Sequence, residues 1–145
     1  MSADRARRIL VVTDHAEPTP DVLEAIERRA ARENAQFRLV ILNPARAELH
    51  LLHPERHDRA AEAEQALRVS LPRIESAAGG PVIGSVSVRH DPMDAVEEVI
   101  FSEPVDEIML SVPEHHLSAR FHQDLQHRLR HHGLPVTTVE PVRPL

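Results

Sequence analysis

The chain has no cysteine, no tryptophan, no tyrosine and no lysine among its 145 residues, and only four glycines. Each absence excludes something. Without cysteine there is no disulfide, no thiolate metal site and no cysteine nucleophile. Without lysine there is neither the lysine of a P-loop nor one that could form a Schiff base. Three phenylalanines are the whole aromatic complement, so the core is aliphatic and no aromatic set exists on which bases could stack. All 17 positive residues are arginines spread along the chain, against a formal net charge of -6. A nucleic-acid-binding domain usually carries a basic face, so no nucleic acid is expected as a partner. No apolar run approaches the ~20 residues of a membrane span, and no membrane is expected. The first five residues lead straight into an apolar run and leave no room for a signal peptide, which points to a cytoplasmic location.

What is present fits one domain over residues 1–145. Hydrophobic residues make up 41%, and a domain of this length buries roughly 68–70% of the surface its unfolded chain exposes. The organising stretch is Arg8-Ile9-Leu10-Val11-Val12-Thr13-Asp14. An apolar run without alternation is what a strand looks like when both its faces are covered, as in the middle of a parallel sheet. Ligands in such sheets bind beyond the carboxyl ends of the strands, where the strand order reverses. Asp14 falls at that edge.

Thr19-Pro20-Asp21 then reads as a helix start: threonine as N-cap, proline in the first helical position, an acid in the first turn. Val22, Leu23, Ile26 and Ala30 give an apolar stripe through about Gln36. Phe37 to Leu42 reads as a second central strand, closed by Asn43-Pro44. From about Asp58 the pattern is helical again, through Ala60, Ala63, Leu67, Leu71, Ile74 and Ala78. Pro72 is expected to kink this helix or end its regular part, and Gly79-Gly80-Pro81 to stop it. Val82 to Arg89 alternates as an edge strand does. Asp91-Pro92-Met93-Asp94 is a second cap-and-proline helix start, for a helix ending near Ser102. Val105 to Val112 is a fourth strand. Leu117, Phe121, Leu125 and Leu129 space a last helix that ends at His132-Gly133, and Pro135 to Val139 is a fifth strand. Five strands and four helices in strict alternation predict right-handed crossovers and a parallel sheet covered on both sides.

In this order and spacing the chain resembles the universal stress protein family over nearly its whole length. Arg8 to Asp14 is similar to that family's first strand with its terminal Asp, and His90-Asp91-Pro92-Met93-Asp94-Ala95-Val96 to its Gly-Asp-Pro opening of the third helix. Val105-Asp106-Glu107-Ile108-Met109-Leu110 resembles its Ala-Asp-Leu-Ile-Val strand. Arg128 to Val136 resembles its last helix running into a Pro-Val strand. The resemblance implies a three-layer α/β/α Rossmann-like fold, of the adenine nucleotide alpha hydrolase-like kind, with a five-stranded parallel sheet in the order 3-2-1-4-5. It also implies a homodimer joined through the fifth strands. The edge Val136, Thr137, Thr138 and Val139 is the expected contact, because a bare, pairable edge is normally covered or paired.

One departure bears on function. Nucleotide-binding members carry Gly-x-x-Gly, nine residues, then Gly-Ser or Gly-Thr after the fourth strand. Here Ser111 through Asp124 contains no glycine. Glycines in such a loop let consecutive backbone N–H groups turn toward phosphate. Forcing two residues with side chains into left-handed geometry costs ~1–2 kcal/mol each, together roughly a hundredfold in affinity. Pro113 has no N–H, and Glu114 and Asp124 repel phosphate. ATP held in the family's manner is therefore not expected, and no cofactor is. The alternative is ATP or AMP held by other means, such as Arg120 and His116.

The expected ligand edge gathers Asp14, His15, Asn43, His90, Ser111, His115 and His116, a polar set suited to a small molecule, with Asp14 on a ribose or an amine. Asp14 could equally cap a loop through backbone N–H groups. His127 and His131 share a helical face and could both reach a metal, but no third ligand is evident and no metal is expected. No Gly-x-Ser-x-Gly elbow accompanies the serines, so no catalytic set is expected. The reading is a non-enzymatic regulatory or binding protein with a small-molecule or protein partner.

Overall fold

A computed structural model describes residues 6–13, 17–42, 56–87, 92–111 and 126–139. Among them are five strands, β1 (Arg7–Thr13), β2 (Ala35–Leu42), β3 (Ile83–Ser87), β4 (Glu107–Ser111) and β5 (Val136–Thr138). The helices are α1 (Pro20–Arg32), α2 (Arg56–Ala78), α3 (Pro92–Ser102) and α4, over 126–131. All strands are parallel, in the order β3-β2-β1-β4-β5. The parallel sheet is the one expected from the alternation of elements, and the strand order is the one the family resemblance implies.

The central strands are buried on both faces, which is why their sequences show no alternation. Ile9, Leu10, Val11 and Val12 have no exposed surface. Their side chains divide between two cores. Leu10 and Val12 join Val40, Leu42, Ile108 and Leu110 beneath α3 and α4, where Met93, Val96, Val99 and Leu129 close the layer. Ile9 and Val11 join Phe37, Leu39, Ile41 and Met109 beneath α1 and α2, against Val22, Ile26 and Ile74.

The structure moves some boundaries. Helix α1 ends at Arg32 rather than near Gln36, because Glu33 turns extended (φ -152°, ψ 165°) while its N–H still reaches the Arg29 carbonyl. Ala35 and Gln36 thereby join β2, paired with Arg7 and Arg8. Pro72 neither ends α2 nor divides it. The proline lies on the exposed face, while Ala66, Ser70 and Ile74, four residues apart, form the buried one. One missing N–H on the solvent side is not enough to break a helix held by its opposite face. Leu67 and Leu71 are half-buried and lie over Gly84, where a Cβ would come within 2.7 Å of Leu67 Cδ1. The bare backbone of Gly84 lets α2 settle close on the edge strand.

Three strands are narrower than expected: β3 begins at Ile83 rather than Val82, β4 at Glu107 rather than Val105, and β5 covers Val136–Thr138 rather than Pro135 to Val139. Thr19 caps α1, accepting from the Val22 N–H at 3.2 Å, with Pro20 next. Gly79 and Gly133 end α2 and α4 at φ +77° and +80°, a region that favours glycine. Leu117, Phe121, Leu125 and the first cap residue of the third helix, Asp91, lie outside the described residues.

Candidate functional site

Each helix carries the chain back across the sheet, so all five strands end at one edge. β1 leads out to β2 on one side, and β4 lies on its other side. The order reverses between them, which makes the carboxyl ends of β1 and β4 the place where a ligand crevice is expected. Those ends are Thr13 and Ser111, which face each other in register. Both are 3% exposed. Both project toward α1, since each lies two residues beyond a side chain of that core, Val11 and Met109. The edge thus presents two buried hydroxyls side by side.

Of the residues expected at this edge, the structure places Ser111. Asp14, His15, Asn43, His90, His115 and His116 lie outside the described residues. Among the described residues, no group of three His, Asp or Glu side chains is arranged to hold a metal.

Two helix starts at this edge, those of α1 and α3, open on proline and carry an acid. In α1, Thr19 already takes the Val22 N–H, Pro20 has none, and Asp21 adds a negative charge. In α3, Pro92 again occupies the first position and Asp94 the first turn. An anion is attracted to a helix start by unsatisfied N–H groups and by the dipole. Here acids already occupy both first turns.

At the opposite edge the structure shows a group that the sequence reading did not single out. Glu107 opens β4 with its side chain buried. Arg29 of α1 grips it with two hydrogen bonds, of 2.7 and 2.6 Å, and Arg7 of β1 adds one of 2.7 Å. The Thr137 hydroxyl of β5 donates a fourth at 3.2 Å, and Glu33 holds the other side of Arg29 at 3.0 Å. The hydrogen bonds from Arg29 outweigh burial and, with those from Arg7, pull the Glu107 carboxyl down to about 2. Burial opposes the charged form, but the paired form wins. The Arg29 guanidinium is driven up by the same contact, partly offset by its own burial. The carboxylate ties β1, α1, β4 and β5 together at the edge away from the crevice. Arg29 was legible, since it falls seven residues after Val22 on the buried stripe of α1. A cation at that spacing calls for a buried anion.

No family model matches the chain, and no curated protein does. Solved structures do. Over 95% of this chain and 99% of the other, it is similar to the hypothetical protein PH0823, at 20% identity and a TM-score of 0.67. Over 92% and 98% it is similar to a universal stress protein from Archaeoglobus fulgidus in complex with dAMP, at 14% identity and 0.63. A further universal stress protein structure from Archaeoglobus fulgidus matches at 15% identity and 0.57, over 93% and 95%. The strand order, the parallel sheet and the helices on both faces are therefore the fold of universal stress proteins, here in a sequence 14% and 15% identical to the two solved ones.

Proposed function

We propose that this protein is a non-enzymatic binding protein of the universal stress type, which takes a small ligand in the crevice beyond Thr13 and Ser111 without cradling a triphosphate. The observation that carries this reading is the contrast between fold and loop. The fold is one in which a relative was solved with dAMP. The stretch from Ser111 to Asp124, which follows β4, has no glycine to bring its backbone around a phosphate chain. Asp14, His15, Asn43, His90, His115 and His116 would line the same crevice. A cytoplasmic location fits the absence of any helix, among the described residues, long and apolar enough to cross a membrane.

Calorimetry with ATP and AMP tests this. Without a cradle the β- and γ-phosphates add nothing, so ATP is expected to bind no more tightly than AMP. Binding of ATP a hundredfold tighter than AMP, abolished by Asp14→Ala, would overturn the reading in favour of an adenine-nucleotide-binding or ATP-hydrolysing stress protein. The dAMP complex of the relative favours that second reading, with Arg120 and His116 as phosphate contacts.

The same proposal includes a homodimer through β5. Among the described residues, Val136–Thr138 is the last strand of the sheet and pairs with β4 alone. An uncovered strand edge is a template for another chain. Light scattering at micromolar concentration is expected to return about twice the 16.3 kDa of one chain. A mass of one chain would remove the dimer from the proposal.

A further inference from the structure

We infer that the outer face of α4 carries a two-histidine chelate, His127 and His131, for a late transition-metal dication of the nickel or copper kind, and that the bound ion steadies α4 and the strand that follows it. The site is independent of the ligand crevice.

The helix places the pair. Four residues advance an α-helix by about 6 Å and a little more than one turn, so side chains at that spacing stand one above the other. His127 and His131 both lie within the helical span 126–131, and both are exposed. Leu129, midway between them, has no exposed surface and belongs to the core beneath α3 and α4. Two residues on either side of it is nearly half a turn away, so both histidines stand on the face of α4 turned to water. Arg128 and His132 turn toward α3, where both meet Glu97. Gln126 reaches β5, 3.5 Å from the Thr138 hydroxyl.

Two ring nitrogens one helical turn apart can share a dication. The number of ligands selects the ion. Structural zinc sites take four protein ligands and catalytic ones three. No group of three His, Asp or Glu is arranged for a metal among the described residues. Nickel(II) and copper(II) accept a tetragonal set of nitrogen and oxygen donors, so two adjacent imidazoles with water in the other positions suit them. Magnesium and calcium take oxygen ligands and are not expected. The nearby positive charges are Arg128, which Glu97 offsets, and Arg130, which is exposed and opposes the ion.

The two nitrogens are held at chelating distance only while the chain between them is helical. An ion that binds the wound helix more tightly than the unwound one shifts the balance toward it. From α4 the chain passes through Gly133 to β5, where the Pro135 carbonyl accepts from the Ile108 N–H and the Val139 N–H donates to Leu110. An ion on α4 should therefore be felt at those amides.

Nickel chloride is the probe, with affinity read by calorimetry and amide exchange by mass spectrometry. Nickel is expected to slow exchange in β5 by about threefold or more while β1 is unchanged. His127→Gln and His131→Gln should each weaken binding by about tenfold or more, because one ligand alone loses the chelate. Both variants should melt with the wild type in the presence of EDTA, since both side chains are exposed. His132→Gln, whose ring faces α3, should bind nickel as the wild type does. Nickel affinity unaltered in both His127→Gln and His131→Gln, or reduced equally by His132→Gln, would overturn the site. Binding at the pair without slower exchange in β5 would overturn the coupling to that strand.

Discussion

Glu107→Ala is expected to lower the free energy of unfolding by about 3 kcal/mol, the largest effect of any single substitution at an ionised group in the described residues. Removing one partner of a buried ion pair typically costs 3–5 kcal/mol, because the other charge is left desolvated. The low end applies here. Arg7 is 39% exposed and can rehydrate, and Arg29 keeps Glu33. Arg29 itself is 16% exposed and two hydrogen bonds poorer. For a domain of this length, a loss of that size corresponds to a fall of about 6–12 °C in melting temperature. Urea unfolding of the two proteins measures it. Replacing both partners with apolar residues, Glu107→Leu with Arg29→Met, is expected to recover most of the loss, since the cost lies in the orphaned charge. A single variant within 1 kcal/mol of wild type would show that the network contributes nothing measurable.

The same carboxylate fixes a pH signature. Its folded value is about 2, against an ordinary 4.5. The folded state therefore binds fewer protons than the unfolded state between these values, and stability rises with pH across that window. The contribution is complete above about pH 4.5 and is lost as the pH falls through 2. A depression of this size corresponds to about 3 kcal/mol, the same order as the loss expected for Glu107→Ala. The difference between wild type and Glu107→Ala should thus be constant from pH 7 to 5 and close as the pH falls toward 2.

Burial on two faces is what made the sheet readable. The continuous apolar residues of β1 and the heart of β4 leave no other place for those strands than the middle, and the alternation of β3 puts it at an edge. The cap-and-proline pairs placed α1 and α3 because their chemistry is local: one hydroxyl, one missing N–H, one acid. What escaped is non-local. The end of α1 is decided by Arg7, which draws Ala35 into the sheet against the helical preference of alanine. Pro72 is tolerated because of which face α2 buries, and that face settles on Gly84 of the next strand. Nothing within β4 itself marks Glu107 as a paired anion; its partner Arg29 comes from α1. The crevice was legible as a place, since it follows from topology. That Ser111 would be its buried hydroxyl, in register with Thr13, depends on strand pairing and could not be read along the chain.

Leu129→Ala is expected to cost about 3 kcal/mol and to act on β5 more than on the rest of the sheet. Leu129 has no exposed surface and is the one buried side chain among the described residues of α4. It fills the core beneath α3 and α4 beside Leu134 and Val136. Truncating a buried leucine costs 2–5 kcal/mol, most where the surroundings cannot collapse. A sheet floor of Leu10, Ile108 and Leu110 cannot. Among the described residues the helix has little else to hold it beyond a 3.5 Å contact from Gln126 to the Thr138 hydroxyl. Arg128 and His132 meet Glu97 at 3.3 and 3.4 Å on the surface, where such pairs contribute ~0–1 kcal/mol. The Phe101 ring, edge-on to His132, is 69% exposed. From α4 the chain turns at Gly133 directly into β5. There the Ile108 N–H donates to Pro135 and the Val139 N–H to Leu110. Loosening α4 therefore frees the strand that follows it. Amide exchange should quicken at Ile108 and Val139 while Val11 and Val12 in β1 stay protected, and a dimer built on β5 should weaken with it. Uniform loss of protection across all five strands would mean that α4 unfolds only with the whole domain. Phe101→Ala, with most of its ring already in water, should change neither measurement.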